Sequence, residues 1–375
     1  MMKIPVNRPL IYPETYKKIR NIISSGWLSA EGPQVKLFEK AFSSYVGMRY
    51  GATTNSGTTA LHLALLTLGI GPGDEVILPA MTIASCYFAI WYVGAKAIPV
   101  DIDKDTYTIN PSLIEKYITK KTKVIMPVHL YGHPCDMDPI MALAKKYHLY
   151  ILEDAAEAHG AEYKGKKVGS FGDISIFSFY ANKIVSCGEG GMMLTNNKQW
   201  YEQALKLKNL SHVKNKRFTH DAIGYRYQMT NIQAALGLIS LSHIRESIML
   251  KRKMAAYYYK HLHTIPSIIT PIEKPWAKSV YWMYAIRIKK NTYGVSKDLL
   301  MKNLSKHGIQ TRPFFYAPDS MFRKLGLYQR IDTPIAKIVE KEGLYIPSGL
   351  GNTKNEFTSV IKKLSENNNN RKVCY

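Results

Sequence analysis

The strongest constraint in this sequence is an alternation of short apolar strands with helix-length connections through its first two-thirds. Strand signals at Tyr50–Thr54, Glu75–Leu78, Lys96–Ile102, Val124–Val128, Tyr150–Glu153 and Ile174–Phe179 are separated by helical stretches at Thr58–Leu68, Ala84–Val93, Pro111–Tyr117 and Pro139–Tyr147. Connections of that length cannot close hairpins. They imply crossover units, a largely parallel sheet and helices on both of its faces. Amphipathic helices at Glu14–Ser24 and Val35–Tyr45 come first, and a long helical stretch from Asn231 to His261, broken near Arg245, closes this part. The pattern then changes: a half-exposed strand at Val280–Ile288 and helices at Lys297–Lys306, Pro334–Glu342 and Glu356–Leu364 predict a smaller α+β domain. The expected division is 1–247 and 248–375, with a loose tail from about Glu366, where four asparagines follow one another.

Composition narrows the function classes. With 46% apolar and 21% charged residues in 375, the chain can bury a sizeable core. Its net charge of +23 would suit a polyanion. The basic residues, however, are scattered in short groups such as Lys120–Lys121–Lys123, Lys164–Lys166–Lys167 and Lys251–Arg252–Lys253, with no basic-aromatic ribbon. That distribution argues against nucleic acid and for a small phosphorylated or diphosphate-bearing ligand. The four cysteines, Cys86, Cys135, Cys187 and Cys374, form no CxxC pair and lack histidines at metal spacing, so reduced thiols, a cytoplasmic setting and no metal are expected. Val76–Ala95 is uncharged for twenty residues, but Pro79 and the Thr82–Ser85 stretch divide it into a strand and a buried helix instead of a membrane span.

Three strand ends carry chemistry. Asn55–Thr59, with Gly57 at its centre, precedes a leucine-rich helix and has the small residues and hydroxyls of a phosphate seat. Asp154 ends a predicted parallel strand, where ligands bind in open α/β sheets. After the strand that delivers Ser178, Lys183 stands in a turn followed by Gly188, Gly190 and Gly191, a setting able to keep an amine dry with its pKa lowered. Each alone has an ordinary structural explanation as a cap or surface residue. Together they meet the needs of pyridoxal 5'-phosphate: a phosphate seat, a carboxylate for the pyridine nitrogen and a lysine for the aldehyde.

The motifs SGTTALHLAL (56–65), EDAAEAHGA (153–161), FSFYANK (177–183), GEGG (188–191) and GYRYQMTNIQAALGL (224–238) resemble the DegT/StrS family of PLP-dependent nucleotide-sugar aminotransferases, from about Ser24 to Leu350. The resemblance implies fold type I, a large domain with a mostly parallel mixed sheet plus the smaller C-terminal domain. It implies Lys183 as the catalytic Schiff-base lysine and Asp154 as the pyridine partner. Glu157 falls at the position facing the cofactor's 3-oxygen, more often Gln in relatives, and Ser56, Gly57, Thr58 and Ser178 at the phosphate. Ile83 replaces the usual aromatic over the ring. Arg226 replaces an Asn that reaches the phosphate of the neighbouring subunit's cofactor in a homodimer. His159, Arg312 and Tyr316 are candidates for the sugar pocket. A lysine at 183 separates this chain from a branch that carries His there and dehydrates 4-keto sugars at C3. The implied reaction is amino transfer from L-glutamate, giving 2-oxoglutarate, to C4 of a nucleotide-linked 4-keto-6-deoxyhexose, with a perosamine- or viosamine-type product. A C3- or bacillosamine-type aminotransferase is the alternative within the family; a non-catalytic PLP-binding regulator or a basic nucleic-acid-binding protein is the alternative outside it.

Overall fold

A computed structural model describes residues 3–213, 216, 218–322, 324–325 and 331–369. Helices α1 (Glu14–Ser25) and α2 (Pro33–Val46) lead into strand β1 (Tyr50–Thr54) and helix α3 (Gly57–Thr67). Strand β2 (Glu75–Pro79), helix α4 (Ala84–Tyr92), strands β3 (Lys96–Val100) and β4 (Thr122–Ile125), helix α5 (Met137–Tyr147) and strand β5 (Tyr150–Asp154) continue the alternation. A short hairpin, β6 (Glu162–Tyr163) and β7 (Lys166–Lys167), precedes β8 (Ile174–Ser178), β9 (Gly191–Thr195) and α6 (Lys198–Leu207). The predicted helix at 111–117 is instead two successive 3₁₀ turns, Pro111–Leu113 and Glu115–Tyr117. Asn110 caps the first of them, so the segment turns without continuing as α-helix.

The main sheet has seven strands in the order β1-β9-β8-β5-β4-β2-β3. β9 runs antiparallel to both β1 and β8, and every other pairing in this sheet is parallel. Sequence reading did not find β9. Its residues GMMLT follow the glycine-rich stretch without an alternating pattern, because all five are buried. One face of the sheet is covered by the apolar residues of α3 and α4, including Leu61, Leu65, Tyr87 and Ile90; the other by residues such as Phe38, Phe42, Ile140 and Ala234. The uncharged run from Val76 resolves into β2 and α4, and among the described residues no helix is long and apolar enough to cross a membrane.

The break expected near Arg245 lies at His243, between α7 (Asn231–Ser242) and α8 (Ile244–Leu262). The expected division at 247/248 therefore falls inside α8. Its first residue packs with the main sheet, whereas Met254, Ala255, Tyr258 and Leu262 join a third cluster. That cluster sits on a second sheet, built from 268–269, Tyr284–Ile288, 343–346 and 312–313, and it also takes Ile4 from the N-terminus. The last helix runs from Lys354 to Asn369, so the first residues of the expected tail are helical; the tail beyond it, with Cys374, lies outside the described residues.

A buried ion pair ties α2 to β1 and to the end of α6. Lys208 Nζ donates to Glu39 Oε1 at 2.9 Å and to the Thr53 carbonyl at 2.9 Å, and Glu39 Oε1 also accepts from the Thr53 N–H at 2.8 Å. Removing one charge of such a pair strands the other. Glu39→Gln should therefore lower unfolding stability by roughly 3 kcal/mol in denaturant titration, and the double variant Glu39→Leu/Lys208→Met should recover most of the loss; equal stability of Glu39→Gln and the wild type would contradict this role.

Candidate active site

The parallel strands point their carboxyl ends at one edge of the sheet, and the loops that leave them enclose a cavity of about 340 Å³. Ser56, Gly57, Thr58, Ile83, Asp154, Glu157, Ser178 and Lys183 all line it. Eight positions identified from separate stretches of sequence thus meet in one space.

Local structure explains each approach. Helix α3 begins at the cavity because Ser56 caps it: its hydroxyl accepts from the Thr59 N–H at 3.1 Å, and the Thr59 hydroxyl faces back to the Ser56 N–H at 3.1 Å. The Ser56 side chain is thereby committed to the helix. Gly57 is required by proximity, since a Cβ there would stand 2.8 Å from Ser178 Cβ. The first turn of α3, with its N–H groups and positive dipole end, consequently sits against the β8 terminus, and the Thr58 hydroxyl, which donates to Ser85 Oγ at 2.9 Å, joins it. This cradle fits a phosphate.

Asp154 is 2% exposed and its two oxygens are both held. Oδ1 accepts from the Ala156 N–H at 3.0 Å and Oδ2 from the Cys86 thiol at 3.1 Å. Burial nevertheless pushes its pKa up; the two hydrogen bonds and the Lys183 charge oppose that rise without cancelling it. A cationic ring nitrogen beside it would keep the carboxylate ionised.

Lys183 is also buried, and desolvation lowers its pKa against the pull of Glu157 and Asp154. Its Nζ lies 3.7 Å from the centre of the Trp282 ring and 3.8 Å from Glu157 Oε1. Glu157 Oε2 accepts from the Tyr131 N–H at 2.8 Å, while Oε1 is a buried oxygen without a hydrogen-bond partner. Burial raises the Glu157 pKa to about 7 despite the nearby amine. An amine, a buried carboxylate, a second carboxyl group and an anion cradle in one enclosure fit the needs of pyridoxal phosphate.

Several members of this enclosure had no readable sequence signal. Trp282 comes from the chain that leads into the second sheet, about a hundred residues beyond Lys183, and its indole N–H donates to the Asn182 carbonyl at 2.9 Å. Its own carbonyl accepts from Lys251 Nζ at 2.8 Å; Lys251, buried and also donating to the Ser348 carbonyl, has its pKa lowered to about 7 by desolvation. One lysine of a group read as surface charge is thus a buried brace. Tyr131, held at φ +53°, accepts from the Phe315 N–H through its hydroxyl and stacks on the Phe315 ring, and Phe315 and Tyr345 line the cavity.

Three sugar-pocket candidates lie elsewhere. His159 is 1% exposed behind the cavity, packed among Phe42, Phe177 and Phe179, and its Nδ1 accepts from the Val185 N–H at 3.0 Å. It anchors the loop that presents Lys183 and is not among the residues that line the cavity. Tyr316 is exposed and outside the lining. Arg312 is outside it too, although it pairs in register with Tyr345, which is part of the wall. Arg226 is likewise exposed and outside the lining, with Nη1 3.4 Å from Asn209 Oδ1. Among the described residues no cluster of His, Cys, Asp and Glu could hold a metal ion.

The sequence profile of the DegT/DnrJ/EryC1/StrS aminotransferase family matches residues 9–365. The chain belongs to that family. It is a PLP-dependent aminotransferase of fold type I. It is 40% identical over 98% of its length to a GDP-perosamine synthase from Escherichia coli O157:H7, covering 99% of that protein, and 37% identical over 97% to a GDP-perosamine synthase from Caulobacter vibrioides, covering 98%. Among solved structures, DesV of S. venezuelae aligns with a TM-score of 0.88 at 33% identity, covering 95% of this chain and 94% of that one. DesI, solved in the presence of its TDP-sugar product, aligns with a TM-score of 0.91 at 27% identity, covering 100% and 95%.

The buried His159 makes stability depend on pH. In the fold its pKa falls to about 3 through desolvation, against an ordinary 6.5 in the unfolded chain. Between those values the unfolded state binds the extra proton, so stability should decline as pH falls below about 6.5, by up to about 1.4 kcal/mol per pH unit. His159→Gln, whose amide oxygen can still accept from Val185, should flatten the decline in acid denaturant titrations; His133, lowered to about 4, leaves a residual slope. An unchanged slope in the variant would contradict the assignment.

Proposed function

We propose that this enzyme transfers the amino group of L-glutamate to C4 of a GDP-linked 4-keto-6-deoxyhexose, giving a 4-amino-4,6-dideoxy sugar nucleotide of the perosamine type. The carrying observation is that the Lys183 amine and the Asp154 carboxylate, both buried, line one cavity with an anion cradle at its end. Near full-length similarity to two GDP-perosamine synthases supports GDP and C4 over the viosamine-, bacillosamine- and C3-type alternatives.

Asp154 would hold the pyridine N–H, the first turn of α3 with Thr58 and Ser178 would hold the phosphate, and Lys183 would hold the aldehyde carbon. When bound, pyridoxal phosphate supplies an electron sink that stabilises a carbanion at the carbon bearing the amine. Lys183 Nζ is the base that removes the proton from the donor's α-carbon and the acid that delivers one to sugar C4. Its lowered pKa suits both tasks, because an amine held far above working pH could not accept a proton. Trp282, pinned by Lys251 and Asn182, keeps water from that amine. Ile83 gives the cavity lining an aliphatic surface.

The site is completed across a homodimer. Arg226 lies outside its own cavity, on a segment bridged to Asn209, and would reach the cofactor phosphate of the second subunit. A charge-assisted bond of that kind contributes about 1.5–3 kcal/mol, so Arg226→Ala should weaken cofactor retention by about tenfold or more; unchanged affinity in a dialysis series removes Arg226 from the phosphate.

Incubation with L-glutamate and GDP-, UDP- and dTDP-linked 4-keto-6-deoxyhexoses, read by NMR of the product, tests the reaction itself. The expected product carries its amine at C4 and forms fastest from the GDP sugar. Lys183→Ala should fold, lose the visible absorption of bound cofactor and make no product. Amination at C3, or transfer surviving in Lys183→Ala, would overturn the proposal.

A further inference from the structure

The start of α4 serves the cavity from two layers. Ile83, its cap residue, and Ser85, which accepts from Thr58, line the space. Cys86, the next residue, is outside the lining and fully buried. Its thiol donates to Asp154 Oδ2 at 3.1 Å, and the Thr82 hydroxyl lies 3.3 Å from the same sulfur. A thiol has one proton to give. With that proton directed at Oδ2, the Thr82 hydroxyl is the donor to sulfur, and two hydrogen bonds run in series from Thr82 through Cys86 to Asp154. The Ala156 N–H holds Oδ1 at 3.0 Å, so the carboxyl is gripped from its own turn on one oxygen and from α4 on the other.

The other two described cysteines are placed differently. Cys135 gives its proton to the Val128 carbonyl, and Cys187 lies against Gly237, where a Cβ would stand 2.7 Å from its sulfur. The acceptor of Cys86 can ionise, and its charge is set by few neighbours. Lys183 from the loop after β8 and His129 from the segment after β4 favour the carboxylate, whereas Glu157 from the same turn as Asp154 repels it. His129 is engaged with Glu153 through Nε2 at 3.1 Å. Burial drives the Cys86 thiol far upward, so it is a neutral donor across the working pH range. Its hydrogen bond is one of two that oppose the rise burial imposes on Asp154.

We propose that Cys86 is a positioning residue for Asp154: its thiol, backed by Thr82, fixes the Oδ2 side of the carboxyl and holds the group ionised for the cofactor's ring nitrogen. No bond to sulfur is made or broken. The placement of the donor beside Ile83 and Ser85 gives one helical turn three tasks at the site, two at its surface and one beneath it. The role rests on the reading of Asp154 as the ring-nitrogen partner.

The test is the affinity of the full-length apoenzyme for pyridoxal phosphate, measured by equilibrium dialysis across the acidic pH range in wild type, Cys86→Ala and Cys86→Ser. Retention needs the carboxylate, so it is lost as pH falls and Asp154 takes up a proton. Without the thiol donor that proton is taken more readily. The midpoint of the loss in Cys86→Ala should therefore move to higher pH by about half a unit or more, a threefold change in affinity on the limb. Cys86→Ser, which keeps a donor, should hold the wild-type midpoint or lower it. A purely structural role would instead weaken retention by the same factor at every pH. Coincident midpoints for wild type and Cys86→Ala, or a midpoint in Cys86→Ser raised as far as in Cys86→Ala, would overturn the proposal. If Cys86→Ala does not fold, Cys86→Val, equally unable to donate, is read in its place against the same criteria. Asp154→Asn separates the two readings: an unaltered acidic limb in that variant would defeat Asp154 as the ring-nitrogen partner, whatever Cys86 does.

Discussion

A primary amine is kept dry at the carboxyl edge of a parallel sheet, and the rest of the structure around the site follows from the cost of doing so. An isolated ammonium cannot be buried without neutralising or finding a partner. Lys183 has three kinds of partner at once: the Trp282 ring at 3.7 Å, the Glu157 carboxyl at 3.8 Å and the field of Asp154. Desolvation still outweighs them, and the amine is left with a lowered pKa. A surface lysine would be a solvated charge; this one is prepared for nucleophilic and proton-transfer chemistry.

Holding the amine there needs both parts of the chain. From behind, His159 accepts the Val185 N–H and fixes the descending side of the Lys183 turn. From the front, Trp282 donates to the Asn182 carbonyl on the ascending side, and Lys251 in turn grips the Trp282 carbonyl. The second sheet is thus more than an appendage: the chain entering it places Trp282 in the cavity lining, and the sheet itself adds Tyr345. The ligand end is organised by a different device, the capped start of α3 pressed against β8 through Gly57.

How much of this the sequence announced depended on how local the signal was. Asp154, Ser178 and Lys183 stand at strand ends or in the turn after one, and Gly57 begins a helix, so the pattern put each at the end of an element, while their meeting in one site was implied by the cofactor's needs and the family resemblance. Strand β9 was missed because a fully buried strand has no alternation to read, and the 111–117 segment was over-read because proline and one turn of polar residues look alike in α and 3₁₀ geometry. Trp282, Lys251 and Tyr131 are brought to Lys183 only by tertiary packing over long separations. His159, a sugar-pocket candidate within the EDAAEAHGA motif, is carried by the turn after β5 into an aromatic core, which no local pattern announces. Lys251 shows the same limit, a buried brace inside a stretch whose composition reads as surface.

The central claim is that Lys183 bears the cofactor. Borohydride reduction of the pyridoxal phosphate-loaded enzyme, followed by proteolysis and mass mapping, addresses it most directly. The account predicts a single phosphopyridoxyl adduct, on the peptide containing Lys183. An adduct on another lysine, Lys251 included, or a protein that takes up no cofactor, would contradict it.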